Sequence, residues 1–375
     1  MAKFSRRSWL SLAAAGLPLW MMPRPSSAQQ VRRPAIVNGR RYLQYDVFTD
    51  KPLTGNQLAV FTDTAGLSTA EMQAMTRETR FSECTFIQPA ESPGTDVRLR
   101  IFGPNNEMQF AGHPVIGSTF ALADEGVIAA GRKEFTFGLG IGPTLVELEW
   151  AAEDADNTDK GRLQFAWMTQ QKPVFGPTLN ATAQLMSALG LEASAIRPGS
   201  LPQEVSCGSA FLMVPLVSRA AVDQAVVDTR AVAAAFETAK LTRRGLFIFS
   251  TEPGPDNATA YSRMLGATTE DPATGSASGP LGCYLVKHGL VPAERAGSIV
   301  SAQGVKMGRP SRIHIRIDLT GSEITRVRVG GTSVLVRRRP PAIGLKAEFD
   351  RIRQKDTRDV SHHSDHENFC VPADA

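Results

Sequence analysis

The sequence has few cysteines and few aromatic residues. Four of its 375 residues are cysteine, and no two of them form a CxxC pair. So few cysteines in so long a chain exclude a disulfide framework and the CxxC type of zinc or redox site. We expect them to be mostly small buried hydrophobic residues, with one disulfide as the alternative. They are Cys84, Cys207, Cys283 and Cys370.

The sequence also lacks a strong excess of one charge. It has 41 basic and 37 acidic residues, and four of the basic residues lie in residues 1–28, which contain no acidic residue. Without that segment the chain has 37 residues of each sign and a formal net charge of zero. Such a chain has no basic field for nucleic acid, and we expect no nucleic-acid partner.

Residues 1–28 have the pattern of a signal peptide. A basic start is followed by an apolar stretch from Trp9 to Met22, which is too short to span a bilayer comfortably, and by small residues at 26–28. The hexapeptide SRRSWL at 5–10 resembles a twin-arginine signal. We expect export to the periplasm and no membrane association after cleavage. An ordinary secretory signal and an uncleaved anchor are the alternatives.

Alternating apolar and polar residues predict several strands. The alternation is clear at 97–101, 146–150, 313–317 and 327–329. Strands that alternate in this way have one solvated face, which is typical of antiparallel or mixed sheets. Helical patterns lie between them, so the sequence predicts an α+β protein.

Two helix starts are visible in the sequence. Ser68 and Glu71 form a capping box, and Leu67 can pack against Met72. Asn180 is predicted to cap a second helix that runs to residue 189 and ends at the glycine that follows.

The chain divides into segments of different character. The polar stretch at 152–161 suggests a boundary between a first domain over 40–160 and a second over 165–336. From 337 to 375 the sequence is charged and has no strand pattern, and we expect a polar, partly disordered tail. Its HHSDHENFC segment contains metal-ligand residue types, but their spacing matches no standard site, and we expect no metal.

A glycine turn followed by a helix occurs twice. EMQFAGHP at 107–114 aligns with EDPATGSA at 270–277, and the alignment continues without a gap until Gly126 falls on Gly289. Each copy has a polar or acidic entry, a glycine turn and a helical stretch rich in small side chains. The matched lengths indicate an internal duplication.

Paired glycine turns suit an anionic substrate. A glycine turn that opens a helix presents unpaired backbone N–H groups and the positive end of the helix dipole, where a carboxylate can bind. Proton transfer beside such a carboxylate needs ionisable groups. The candidates are His113, Asp271, Glu107, Glu270 and Glu83. Glu83 stands among phenylalanines that could raise its pKa, although a surface position at a helix-to-strand turn is the simpler interpretation.

Five motifs, made up of seven short segments, together resemble the PhzF family of phenazine-biosynthesis-like isomerases. They cover roughly residues 42–336, and each is weak alone, but their order makes the resemblance specific. The segments are YDVFT with GNQLAV (45–49 and 55–60), FSECTF (81–86), FAGHP (110–114), DPATGSA (271–277) and QG with MGRPS (303–304 and 307–311).

The resemblance implies a fold, an activity and roles for individual residues. The fold is diaminopimelate-epimerase-like, with two pseudo-symmetric α+β domains, each a curled, mainly antiparallel sheet around a central helix, and the site between them. The activity is an isomerisation without cofactor or metal that moves a proton and a double bond on a small carboxylate-bearing substrate. The implied residues are Glu83 as acid/base, His113 and Asp271 as its partners, and Gly112, Gly275 and Ser276 as substrate contacts.

Two other functions stay open at this point. Related epimerases carry a cysteine on each glycine loop, where this chain has His113 and Ser276, so a two-thiol racemase is disfavoured. An exported small-acid binding protein without turnover is the other alternative. A homodimer is compatible with the fold, and no sequence feature requires one.

Overall fold

The structure is a computed structural model, which describes residues 35–37, 39–152, 161–238, 241, 245–266 and 269–337. The predicted signal peptide, the tail beyond 337 and most of the polar stretch at 152–161 lie outside these residues. No helix within the described ranges is long and apolar enough to cross a membrane.

The elements of the first lobe are mostly strands. In chain order they are β1 (Ala35–Val37), β2 (Arg40–Val47), β3 (Asn56–Phe61), α1 (Thr69–Thr79), β4 (Glu83–Pro89), β5 (Val97–Phe102), β6 (Glu107–Met108), α2 (Gly112–Asp124), β7 (Glu134–Leu139), β8 (Gly142–Trp150) and β9 (Leu163–Gln170).

The elements of the second lobe follow in the chain. They are β10 (Val174–Thr178), α3 (Thr182–Ala188), β11 (Gln203–Ser206), β12 (Ala210–Pro215), α4 (Arg219–Gln224), α5 (Thr229–Thr238), β13 (Gly245–Ser250), β14 (Ala260–Leu265), β15 (Glu270–Asp271), α6 (Gly275–Lys287), β16 (Ile299–Gln303), β17 (Ser311–Thr320), β18 (Glu323–Gly331) and β19 (Ser333–Arg337).

The two lobes repeat one pairing scheme. From β2 to β5 the successive pairings are antiparallel, parallel and antiparallel, and β5 is then antiparallel to β6 and parallel to β7. The strands from β11 onward repeat that scheme, with β14 antiparallel to β15 and parallel to β16. The mixed, mainly antiparallel sheet agrees with the strand alternation, and all four predicted strands are present.

Each lobe is built around one buried helix. The helix α2 packs against β2, β3, β4 and β9, whereas α6 packs against β11, β12, β17 and β18. Both helices have 13 residues, and their first residues are Gly112 and Gly275, which the sequence alignment matches. The structure therefore contains the two copies that the duplication predicts. This arrangement is the diaminopimelate-epimerase-like α+β fold that the resemblance implied.

Strand pairing also links the lobes. The strand β9 pairs with β8 on one side and with β18 on the other, and β19 returns to pair with β2. The predicted domain boundaries at 40–160 and 165–336 therefore stay a prediction, because the sheet continues across them.

Of the two predicted helix starts, one is confirmed and one is wrong. Ser68 caps α1, and Glu71 completes the capping box. Asn180 does not cap α3, because its carbonyl accepts a hydrogen bond from Thr182 N–H in a turn that makes Ala181 the N-cap. Gly190, which was expected to end this helix, follows its C-terminus with a left-handed φ of 65°, as predicted.

Arg309 links the second lobe to the hairpin between β2 and β3 through hydrogen bonds. Its guanidinium donates to Asp46 Oδ1 at 2.7 Å and to the carbonyls of Thr54 and Gly55 at 2.8 Å each. The amide of Gly55 in turn donates to the carbonyl of Pro310 at 3.0 Å. This contact fixes the start of β3, which enters the candidate site.

We expect Arg309→Leu to lower the free energy of unfolding by about 3 kcal/mol or more, because it leaves the buried carboxylate of Asp46 without its ion partner. Chemical denaturation measures the change. The control is Lys172→Ala, which breaks an exposed pair with Glu323 and should cost less than about 1 kcal/mol. Equal losses in the two variants would contradict this role of Arg309.

Candidate active site

The side chains of Glu83 and His113 face each other beside the first glycine turn. Glu83 is the first residue of β4, and His113 is the second residue of α2. Glu83 Oε2 lies 3.3 Å from His113 Nε2, and the two side chains are 17% and 4% exposed. Neither of these two atoms has a hydrogen-bond partner among the described residues. Glu83 is therefore a partly buried residue of the site, with a buried Oε2 atom, and not the surface residue that its local sequence favoured.

Asp271 reaches the same place from the other lobe. It is the last residue of β15, and its Oδ1 accepts a hydrogen bond of 2.7 Å from Asn56 Nδ2 at the start of β3. Its Oδ2 accepts from the hydroxyl of Thr274. The charge of Asp271 acts on Glu83, so the three ionisable residues that the resemblance implied lie in one cluster.

The other two acidic candidates are used in structural ion pairs. Arg100 binds Glu107 with two hydrogen bonds, of 2.8 and 2.6 Å. Arg263 binds Glu270 in the same bidentate way, at 3.0 and 2.8 Å. The alignment of the two copies matches Arg100 with Arg263 and Glu107 with Glu270, so both pairs belong to the duplicated scaffold.

The two glycine turns are in direct contact. A Cβ atom added to Gly112 would lie 2.5 Å from the carbonyl carbon of Gly275 and 2.6 Å from the amide nitrogen of Ser276. A Cβ added to Gly275 would lie 2.9 Å from the ring of Phe48. Both positions thus require glycine, and the N-termini of α2 and α6 meet beside the acidic cluster. Backbone N–H groups of both first turns have no intrahelical acceptor and favour an anion there.

Burial changes the pKa values of the facing pair in opposite directions. Loss of solvent, together with the charge of Asp271, raises the pKa of Glu83 to about 8. Loss of solvent lowers the pKa of His113 to about 3. At neutral pH this pair consists of a protonated carboxyl group and an uncharged imidazole.

Hydrogen bonding indicates which imidazole nitrogen carries the proton. The His113 ring donates to the backbone carbonyl of Gln57, while Nε2 faces Glu83. The two amide hydrogens of Asn56 are directed to Asp271 Oδ1 at 2.7 Å and to the Ala273 carbonyl at 3.0 Å. Asn56 Nδ2 also lies 3.1 Å from His113 Nδ1. Because the Asn56 hydrogens have these two oxygen acceptors and the ring donates to Gln57, we infer that Nδ1 holds the proton and that Nε2 faces Glu83 with its lone pair.

Several residues of the site had no role assigned from sequence. Gln303 accepts from the amide of Thr274 at 2.9 Å and donates to the carbonyl of Asp271 at 2.8 Å, which holds the second glycine turn in place. Asn56 connects that turn to the first lobe. Both residues stand inside the motifs that carry the family resemblance, which is the signal that could have identified them.

None of the described cysteines is on a glycine turn. Cys84 is fully buried next to Thr79, and burial raises its pKa to about 12. Cys207 and Cys283 are also buried, and their sulfur atoms are 3.8 Å apart without a bond. The expectation of small buried residues is confirmed for these three, and their positions do not suit a two-thiol racemase. No group of three or more metal-ligating side chains occurs in the described part of the chain.

Two similar lobes, each built around one buried helix, with the helix N-termini in contact, define the class of isomerases and epimerases with the diaminopimelate-epimerase-like fold. The chain belongs to the PhzC–PhzF family, whose profile, described as phenazine biosynthesis-like protein, matches residues 45–339.

Individual relatives agree with this assignment. The chain is 34% identical over 292 residues to trans-2,3-dihydro-3-hydroxyanthranilate isomerase of Pseudomonas aeruginosa, a match that covers 78% of this chain and 95% of that protein. The solved structure of a predicted epimerase from the same organism is 32% identical, with a TM-score of 0.65 and coverage of 81% and 100%. A PhzF-family structure from Bacillus anthracis has a TM-score of 0.67 at 23% identity and shows the fold, with coverage of 79% and 96%. The chain is accordingly an isomerase of this family.

The raised pKa of Glu83 predicts a pH-dependent stability. A carboxyl group whose pKa is higher in the folded state stabilises that state fully below its usual value of 4.5, and this contribution is lost as the pH rises toward 8. We expect the unfolding temperature of the parent protein to fall relative to that of Glu83→Gln across this interval, with an upper limit of about 1.4 kcal/mol per pH unit. Calorimetry at a series of pH values measures the difference.

The control for this measurement is Glu78→Gln, which removes an exposed carboxylate on α1. Its unfolding temperature should follow that of the parent protein at every pH. A Glu83→Gln profile that also runs parallel to the parent would contradict a protonated Glu83.

Proposed function

We propose that the protein is a cofactor-independent isomerase in which Glu83 moves a proton on a small carboxylate-bearing substrate. The observation that carries this proposal is the facing pair, a partly buried carboxyl group 3.3 Å from an uncharged imidazole, beside two meeting helix N-termini. A carboxyl group with a pKa near neutrality can both give and accept a proton at physiological pH.

The substrate carboxylate binds at the helix starts. Gly112, Gly275 and Ser276 open the two helices, and their backbone atoms lie against one another. The backbone N–H groups of these first turns are available to bind an anion. Two helix dipoles favour an anion there. Holding the carboxylate in this way would fix the neighbouring carbon atoms near Glu83.

Glu83 regains a proton by the end of each turnover. Glu83 donates its hydrogen to one carbon of the unsaturated substrate, and the carboxylate that results removes a hydrogen from another carbon, so that the double bond shifts and no proton is gained or lost. His113 steadies the carboxyl group through Nε2, and the negative charge of Asp271 favours the protonated form of Glu83 before the reaction.

The relatives suggest a first compound to test. Three of them, from species of Pseudomonas, are named trans-2,3-dihydro-3-hydroxyanthranilate isomerase. The compound in this name, trans-2,3-dihydro-3-hydroxyanthranilate, has a carboxylate and a ring double bond, as the proposed mechanism requires. A thermal-shift screen of small unsaturated acids would extend the search if it does not bind.

Glu83→Gln should lose incorporation of solvent deuterium into a bound substrate by about 10²- to 10⁴-fold, because glutamine cannot exchange a proton with carbon. Mass spectrometry or proton NMR of the recovered substrate measures the incorporation. Glu107→Gln, which alters a carboxylate held by Arg100, is the matched control and should stay within a few-fold of the parent.

An unchanged exchange rate in Glu83→Gln would contradict the assigned role. Tight binding of a small acid without any exchange in the parent protein would instead favour the alternative of a binding protein. Loss of activity in both Cys84→Ser and Cys283→Ser would favour a thiol mechanism.

We further propose that the protein is exported to the periplasm through the twin-arginine route, on the strength of residues 1–28. Replacing Arg6 and Arg7 together with lysine should leave the full-length protein in the cytoplasm, whereas the parent should be recovered from the periplasm with an N-terminus after Ala28. Cell fractionation and mass spectrometry measure both. Undiminished export of the double variant would indicate an ordinary secretory signal.

A further inference from the structure

The side-chain amide of Asn56 lies where the two lobes meet. Its Nδ2 is 2.7 Å from Asp271 Oδ1, 3.0 Å from the carbonyl of Ala273 and 3.1 Å from His113 Nδ1. The residue is 1% exposed. Asn56 begins β3 in the first lobe and Asp271 ends β15 in the second, so this amide is the part of the first lobe that binds the aspartate of the second.

The orientation of the amide is set by its neighbours. Its Oδ1 accepts a hydrogen bond of 3.3 Å from the hydroxyl of Ser82, the residue before Glu83. Gly55, with φ of 63°, precedes it and is held by Arg309. The Nδ2 group is thereby directed toward Asp271 and away from Glu83.

The two partly buried carboxyl groups differ in the donors that surround them. Asp271 accepts hydrogen bonds from Asn56, from the hydroxyl of Thr274 and from the backbone of Ala273. Glu83 accepts a hydrogen bond from the side chain of Ser82, whereas its Oε2 has no donor among the described residues and faces His113 Nε2. Donated hydrogen bonds stabilise the ionised form of a carboxyl group.

From this asymmetry we propose that Asn56 is a positioning residue that decides which of the two carboxyl groups holds the proton. By donating to Asp271 it keeps that residue ionised and leaves the proton on Glu83, where the reaction needs it. The inference rests on the proposed role of Glu83 and adds a residue to it.

The other charged groups near the pair do not provide this asymmetry. Loss of solvent raises the pKa of Asp271, the hydrogen bonds from Thr274, Asn56 and Ala273 lower it, and the charge of Glu270 raises it slightly, since Glu270 is itself paired with Arg263. His113 is uncharged at neutral pH. Asp271 is therefore distinguished from Glu83 by its three donors, Asn56, Thr274 and Ala273, against the single donor Ser82.

Infrared spectroscopy of the whole protein tests the proposal without a substrate. A protonated carboxyl group gives a carbonyl band that an ionised group lacks, and ¹³C labelling of aspartate alone separates aspartate bands from glutamate bands. The parent protein at neutral pH should show a glutamate band that is lost in Glu83→Gln, and no band from Asp271.

In Asn56→Leu we expect a new aspartate band at neutral pH that disappears when Asp271→Asn is added. The pH at which Asp271 loses its proton should rise by about one unit or more. Thr274→Val removes another donor to the same carboxylate and should shift Asp271 in the same direction, so that whichever variant folds can carry the test.

The matched control is Gln170→Leu. Gln170 is a buried amide that donates to the carbonyl of Gly275 at 2.9 Å and so supports the same turn without contacting a carboxylate. It should produce no aspartate band. The inference would be overturned if the Asn56→Leu and Thr274→Val proteins fold and Asp271 titrates in them as it does in the parent. The proposed function itself would be overturned if the parent protein lacks the Glu83 band.

Discussion

The close approach of two glycines determines the rest of the molecule. Gly112 and Gly275 leave no room for a Cβ atom, and this lets two helix N-termini meet. The same approach brings Asp271 of one lobe next to Glu83 and His113 of the other. A larger residue at either turn would separate the anion-binding N–H groups from the acid that acts on the bound substrate. The contact therefore couples binding to proton transfer.

The scaffold is symmetric, but the chemistry is not. The duplication relates α2 to α6 and the Arg100–Glu107 pair to the Arg263–Glu270 pair. The strand registers match Cys84 with Leu246, because these residues pair with Phe102 and Leu265 of the two copies. Glu83, the first residue of β4, therefore corresponds to Gly245, the first residue of β13, and the second lobe has no equivalent acid. A racemase with two matched acids needs one on each side of its substrate, whereas a shuttle that moves one proton between carbons needs a single group. The asymmetry agrees with an isomerase that shifts a double bond.

Patterns in the sequence predicted the fold well. Contacts between residues far apart in the chain could not be predicted from such patterns. The duplication, the strand alternation and the capping box at Ser68 are local features, and each is present in the structure. The cap at Asn180 failed because a backbone turn moved the helix start by one residue. The burial of Glu83 and the contact between Asn56 and Asp271 depend on how distant segments pack, and only the family motifs pointed to that region.

The central claim is that Glu83 holds a proton that faces an uncharged His113. Neutron diffraction from crystals of the deuterated protein at neutral pH locates these hydrogens directly. We predict a deuteron on Glu83 Oε2 and another on His113 Nδ1, with Nε2 bare and Asp271 ionised. A deuteron on Nε2 beside an ionised Glu83, or a deuteron on Asp271, would contradict the account.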